Sequence, residues 1–425
     1  MKQTILTFIA RVEPGRVNEL RDLLTEIAGA STFPQNPHLP FPSLKRLHFA
    51  SLVLHEDADY GPTFVFENNF DGPLDTYLED LYEHASAGLH RLYSCCRGYP
   101  ATDGGPDRAR LISYLRAHVV RPNAYHIGNV GRSVERTLQE NTLRDDIETF
   151  LDDLVRGQRG TNGETPASIR SRIQAFMSTH RMAEWAANAE PRQTTMERFV
   201  PWLKIVIAAI FALALLPLLI PLAIFWVIVL RYKEKRDPVT PDLGNKAHVR
   251  ALVEREDRTH IVQNHMASIT LVKPGPFRRA TLRGLLWLVN LIARTANKGE
   301  LSGIPSIHFA HWSMIDGGRR LLFVSNFDGS WENYLDDFID KASTGLTGIW
   351  SNTVDFPKTS FLVLEGARDG ARFKAVARDK QTYTNVWYSA YQHLTVQTID
   401  NSSAIREDLF TQLDESATRR WVWRF

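Results

Sequence analysis

Residues Ile205–Leu230, IVIAAIFALALLPLLIPLAIFWVIVL, form a run of 26 without a charge, and few architectures can accommodate it. A spanning helix needs about 20 apolar residues, because the hydrocarbon core of a bilayer is about 30 Å thick. Soluble proteins rarely bury so long a run with no polar break. The sequence therefore predicts a membrane anchor over residues 199–236. Trp202 and Trp226 stand near its two ends, with Tyr232 just beyond, where interfacial aromatics sit. Pro217 and Pro221 interrupt the middle, each removing a backbone donor. The flanking pieces, Ile205–Leu216 and Leu222–Leu230, would be about 18 Å and about 13 Å long as helices, too short to cross alone. Both flanks are basic, with Arg192, Arg198 and Lys204 before the run and Arg231, Lys233, Lys235 and Arg236 after it. Lys and Arg mark the cytoplasmic side. A kinked hairpin with both ends in the cytoplasm is the expectation, and a single proline-bearing span is the alternative. Either way the anchor ties the protein to an inner or plasma membrane, with membrane lipid as a partner and soluble domains on the cytoplasmic side.

At 425 residues the chain is long enough for two or three domains. A net charge of +2 gives no bias toward nucleic acid. Cys95 and Cys96 are the only cysteines and are adjacent, which suits neither a structural disulfide nor a metal site and points to a reducing compartment. The N-terminus, MKQTILTFIARVEPG, lacks the apolar core of a signal peptide and reads as a strand. No Walker loop, Rossmann glycine pattern, His-Glu-x-x-His or nucleophile elbow is present.

On either side of the anchor the chain repeats itself. In the first part, strands are expected over Thr4–Val12, Arg46–Leu54, Thr63–Asn68 and Tyr125–Val130. Helices are expected over Arg16–Ala28, from Pro73 to about Arg91, and near Arg108–Leu115. In the second part, Lys273-Pro274-Gly275 echoes Glu13-Pro14-Gly15, and Ile307-His308-Phe309-Ala310 echoes Leu47-His48-Phe49-Ala50. Asn326-Phe327-Asp328-Gly329 restates Asn69-Phe70-Asp71-Gly72 without change, and 11 of the 22 positions from Asn69 to His90 are identical in Asn326–Thr347. Further on, Thr142–Leu151 matches Ala404–Leu413. The expected organisation is copy 1 over 1–155, a polar helical connector over 156–198, the anchor over 199–236, a linker over 237–258 and copy 2 over 259–425. Pro166–Ala187 is expected to form the connecting helix, Thr194-Thr195 to cap the approach to the anchor, and Lys246–Asp257 to form a short charged helix.

The order β-α-β-β-α-β in each copy is that of a ferredoxin-like unit. With its duplication, this order resembles the dimeric α/β-barrel superfamily. The expected fold class is thus α+β: two ferredoxin-like domains forming an intramolecular pseudo-dimer around a central hydrophobic membrane segment. A four-stranded sheet with helices on one face leaves its other face to be covered, and a second copy can cover it. The superfamily includes heme-dependent peroxidases, heme-degrading monooxygenases, small cofactor-free monooxygenases and proteins without catalysis. The resemblance therefore implies heme as a possible cofactor and no single reaction.

The repeated residues supply the candidates. Asp71 and Asp328 read either as caps of the helices that follow them or as catalytic acids. The second reading rests on similarity to dye-decolorizing peroxidases, whose Gly-x-x-Asp-Gly motif is altered here by Asn68 and Ser325. His48 and His308, on strands, read as sheet residues or as ligand or acid–base groups. His311 is expected on the strand face opposite His308, so the two do not make a metal pair. Arg110, Arg372, Arg116 and Arg378 could hold a carboxylate or phosphate, or pair with acids of the fold. The expected function is a membrane-anchored protein binding a small apolar or lipid-derived ligand. The alternatives are a heme-dependent oxidoreductase or a scaffold of a membrane complex.

Overall fold

In a computed structural model of the chain, residues 2–29, 36–101, 104–156, 163–188, 203, 206–207, 215–238, 246–259, 262–295 and 299–425 are described. Trp202, Arg192, Arg198, Lys204 and Thr194-Thr195 lie outside them. The first half runs β1 (Gln3–Arg11), α1 (Val17–Gly29), β2 (Leu47–His55), β3 (Thr63–Asp71), α2 (Leu74–Ser94), α3 (Arg108–Ala117), β4 (Val119–Val120), β5 (Ala124–Ile127) and α4 (Val134–Arg156). Then come α5 (Pro166–Ser178), α6 (Ala183–Ala187), α7 (Leu216–Glu234) and α8 (Lys246–Thr259). The second half has β6 (Gln263–Leu271), α9 (Pro276–Thr295), β7 (Ile307–Ile315), β8 (Arg320–Asp328), α10 (Trp331–Trp350), the short pair β9 (Thr359–Ser360) and β10 (Leu364–Glu365), and α11 (Gly370–Lys380). It ends with β11 (Gln381–Thr382), β12 (Val386–Ser389), α12 (Val396–Asp408) and α13 (Glu415–Val422).

The result is a mixed α+β fold with antiparallel sheets. Two sheets have five strands each, in the orders β12-β2-β3-β1-β4 and β11-β6-β8-β7-β5. The outer strands are exchanged. Ala124–Ile127 of the first half pairs with Trp312–Phe309 of the second, and Val386–Ser389 of the second pairs with Leu52–Phe49 of the first. The expected strand at Tyr125–Val130 thus exists in part, but it completes the sheet of the opposite half.

Alternation along the strands divides the residues between two environments. On one face of the first sheet, Leu6, Phe8, Leu52, Phe64 and Phe66 pack under Leu20, Leu24, Tyr77, Leu81 and Leu92 of α1 and α2. Trp312, Leu321, Phe323 and Phe327 do the same with Leu282, Leu286, Tyr334 and Phe338 of α9 and α10. The opposite faces meet each other: Val53 and Val65 pack against Ala267, Ile269, Ile315, Leu322 and Val324. A further core joins α4, α5, α12 and α13 through Leu143, Ile147, Ile173, Met177, Ile405, Leu409 and Trp421.

Among the described residues, one helix, α7, is long and apolar enough to cross a membrane. At 19 residues it measures about 28 Å. The prolines do not divide it. Pro217 lies in the first turn, where the missing donor would be unsatisfied anyway, and Pro221 lies within a continuous helix. The C-terminal end of α7 is docked. Trp226 donates to Thr281 of α9 at 3.1 Å and stacks on Phe277. The buried Glu234 carboxylate accepts from the Leu362 and Phe361 amides at 2.7 and 3.0 Å. Asp237, at the start of the expected linker, is held by Lys273 and Arg278 at 2.6 and 2.8 Å.

Candidate functional site

In β2, the ladder steps from Leu47 opposite Phe70 to Phe49 opposite Asn69, so His48 is the extra residue of a β-bulge. In β7, it steps from Ile307 opposite Phe327 to Phe309 opposite Asn326, and His308 is the extra residue. A bulge re-aims the side chain it carries. His48 and His308 turn into the space between the sheets beside Phe49 and Phe309, with ring centroids 5.1–5.3 Å apart across the halves. The alternation argument for His311 fails for the same reason. His311 bonds Thr7 of the opposite sheet at 3.2 Å and therefore shares the inter-sheet space with His308.

Each bulge histidine meets the aspartate of the repeated motif. His48 Nε2 lies 3.1 Å from Asp71 Oδ1, and His308 Nε2 lies 2.8 Å from Asp328 Oδ1. The free oxygens of both aspartates accept amide hydrogens, from Val134 at 2.8 Å and from Val396 at 2.9 Å. Asp71 and Asp328 are therefore not caps of the helices that follow. Pro73 precedes α2 without a side-chain cap, and Ser330 caps α10. Their acceptors instead tie the first turns of α4 and α12 to the sheets. The motif glycines, Gly72 and Gly329, have φ of +90° and +83°, which explains their identity.

His48 Nδ1 contacts the Tyr391 hydroxyl at 2.8 Å. With Asp71 accepting from Nε2, Nδ1 accepts from the phenol, giving a chain Asp71–His48–Tyr391. Burial, with the nearby Asp71 and Asp328 charges, pushes the Tyr391 phenol well above its ordinary value. The phenol thus stays protonated, and its donor is spent on His48. Both nitrogens of His48 are engaged and the residue is 1% exposed, so it does not fit an axial heme ligand. His308 is equally buried, with Phe49 and Tyr391 packed against its ring. Among the described residues no group of three His, Cys, Asp or Glu is arranged to hold a metal.

Asp71 also reaches a cleft of about 700 Å³. Its walls are Pro42, Leu44, Leu47, Val134, Leu138 and Ala390, with Lys45, Arg46 and Glu135 at the polar edge. Tyr388, from the exchanged strand β12, closes one side, so both halves build it.

A second polar cluster, centred on Glu67, was not singled out by the sequence reading. Glu67 is fully buried between the sheets. It accepts from Ser51 at 3.0 Å and Asn326 at 3.1 Å, and from Asn69. The His265 ring stands 3.7 Å away, an ion-pair distance rather than a hydrogen bond. Burial raises the carboxyl, but His265, His311 and Asn69 outweigh it and hold Glu67 below the usual carboxylate value. His265 bonds Thr384 at 3.0 Å. Burial depresses the His311 ring to about 4. The available signal was a glutamate at the centre of TFVFENNFD, on the face opposite the phenylalanines.

The repeated arginines are not brought together. Arg116 pairs with Asp75 on the surface, and Arg372 with Asp369. Arg378 is buried on Trp331 and holds Glu256 through both nitrogens and Glu332 through one. Arg110 is exposed on α3. None of the four lines the cleft. Cys95 and Cys96 are free thiols in the first core.

No family model, curated protein or solved structure matches the chain.

Proposed function

We propose that this is a membrane-anchored binding protein, built as a tandem pair of ferredoxin-like units, which holds a small apolar or lipid-derived ligand in the cleft beside Asp71. The cleft carries the reading. Its volume of about 700 Å³ falls in the range of small-molecule sites, roughly 300–1,000 Å³. Its walls are mainly apolar, and Lys45 at its edge suits an acidic head group, while Arg46 is paired with Asp80 at 3.1 Å. The His48–Asp71 pair, locked by Tyr391 and the Val134 amide, makes a rigid floor rather than a reacting centre.

Anchoring draws support from α7, whose residues before Trp226 are largely exposed and apolar. The exchanged strands support one sidedness. Because β5 and β12 cross between the halves, both halves lie on the same face of any bilayer. A single crossing between them would separate them. An anchor with both ends on one side, the cytoplasmic one by its basic flanks, fits that arrangement.

The test is organic extraction of the detergent-purified full chain, with mass analysis of the extract and an absorption spectrum beforehand. The expected result is a colourless protein that releases a lipid-derived molecule, with Leu138→Trp, which fills the cleft from an exposed position, releasing much less. Equal release from both proteins would remove the cleft from the reading. A stoichiometric Soret band would replace binding with heme chemistry, and an empty extract would favour a scaffold.

A further inference from the structure

The two halves place an equivalent helix over the outer face of each sheet, but those helices differ on the side turned away from the core. In α1 the buried stripe is Leu20, Leu23, Leu24 and Ile27, and the exposed positions are Asn18, Glu19, Asp22, Thr25 and Glu26. That is the ordinary pattern of a solvated amphipathic helix. In α9 the buried positions include Leu282 and Leu286, yet the opposite face carries Ala280, Gly284, Trp287, Leu288 and Ile292. Trp287 is 64% exposed and Ile292 52%. These residues recur at helical spacing and make one apolar stripe.

What covers that stripe is indicated by its neighbour. The candidate anchor α7 rests on the first turns of this same helix, through Trp226 against Phe277 and Thr281. Trp226 marks the position along α7 where a tryptophan prefers the boundary between headgroups and acyl chains. The stripe of α9 begins beside it. Arg279 and Arg283 flank the stripe, with Arg279 bonded to the Gly275 and Gly317 carbonyls, and their charges complement anionic headgroups. A helix with an apolar face, flanking arginines and an exposed tryptophan is built to lie in the plane of an interface.

We propose that the exposed face of α9 is a second membrane contact, in which Trp287, Leu288 and Ile292 enter the headgroup and upper acyl region of a bilayer beside α7. This rests on reading α7 as the anchor. The second half is thereby laid against the membrane, while the first half, whose α1 is polar, faces the cytoplasm.

The test places spin labels on the full chain in vesicles containing anionic lipid and compares collision rates with oxygen and with a water-soluble nickel chelate. Leu288→Cys reports the stripe, Thr25→Cys the corresponding exposed face of the first half, and Ile224→Cys the anchor. The two native cysteines are buried and remain unlabelled. The expected result is oxygen-favoured collisions at 288, approaching those at 224, and nickel-favoured collisions at 25. Oxygen-favoured collisions at 224 with nickel-favoured ones at 288 would overturn the second contact while leaving the anchor standing. Nickel-favoured collisions at both would overturn the anchor and the contact together. Low collision rates with both reagents at 288 would mean that protein, such as a second copy, covers the stripe, and would also overturn it.

Discussion

The central strands of the two sheets have the same lengths and registers, yet they bury different chemistry where they face each other. Glu67, on β3, lies opposite Thr7 and Ser51, whereas its counterpart on β8, Val324, lies opposite Ala267 and His311. By the same registers His265 corresponds to Ile5, and His311 to Ser51. The carboxylate comes from one half and both imidazoles from the other, so the polar pairing closes only when the sheets meet. Equal backbones have thus been given complementary rather than identical faces. An apolar core tolerates sliding more readily than a buried charge tolerates losing its partner, so this cluster fixes how the sheets register.

The sharpest way to break the comparison is Glu67→Val, which gives β3 the residue of β8. It strands the Ser51, Asn69 and Asn326 donors without their acceptor and removes the carboxylate beside His265, and it should cost about 3–5 kcal/mol in a denaturant titration. Adding His265→Ile, the residue of β1, should recover part of that loss, because the two sites are coupled. A single variant as stable as the parent would remove the cluster from the account.

Acid should act next. His311 on β7 and His126 on β5 are each pushed by burial to about 4, whereas in the unfolded chain they take up a proton near the ordinary value of about 6.5. Between those values the unfolded state binds more protons. Stability therefore falls as pH drops through 6.5, and the loss stops growing near 4, at roughly 3 kcal/mol per ring. Glu67, held below its usual value, adds its own loss once pH falls below the ordinary carboxylate value of about 4.3, where the unfolded chain takes up the proton first. Unfolding midpoints measured from pH 7.5 to about 4, compared with those of His311→Ser, should show a shallower decline in the variant.

The repeated glycines offer a smaller contrast. A Cβ on Gly88 of α2 would lie 1.9 Å from the His38 carbonyl oxygen, whereas one on Gly345 of α10 would meet nothing within 4 Å. Gly88→Ala should cost about 1–3 kcal/mol or more, and Gly345→Ala should gain up to about 1 kcal/mol from helix propensity. Thermal midpoints of the two variants should move in opposite directions. Tyr391→Phe, which removes the donor to His48, should cost about 1 kcal/mol. Least of all, alkylation should leave the folded protein untouched. Burial pushes the Cys95 thiol up to about 11 and Cys96 higher still, so both should react with iodoacetamide at neutral pH only after unfolding.

Much of the secondary structure was legible because local signals agreed. The alternation in RLHFASLVL, the stripe at Leu20, Leu23, Leu24 and Ile27, and the Asp-Gly turn placed elements close to those observed. The site was less legible because it depends on departures from regularity. One extra residue in each of β2 and β7 turns His48 and His308 inward, and nothing in the local pattern announces a bulge. Asp71 does secure a helix start, but of α4, some sixty residues on, rather than of the helix that follows it. The exchange of β5 and β12 was likewise beyond local reading, since a four-residue strand carries no record of its partner.

That exchange has a consequence for the order of synthesis. When the ribosome has made the first half, the first sheet still lacks its outer strand, which ends at Ser389. Counted from Arg156, the edge of β2 stays open through the making of about two hundred and thirty further residues, apolar helix included. The second sheet, by contrast, finds β5 waiting. The first sheet is therefore completed only once β12 has been made, and the nascent first half is the form that most needs a chaperone.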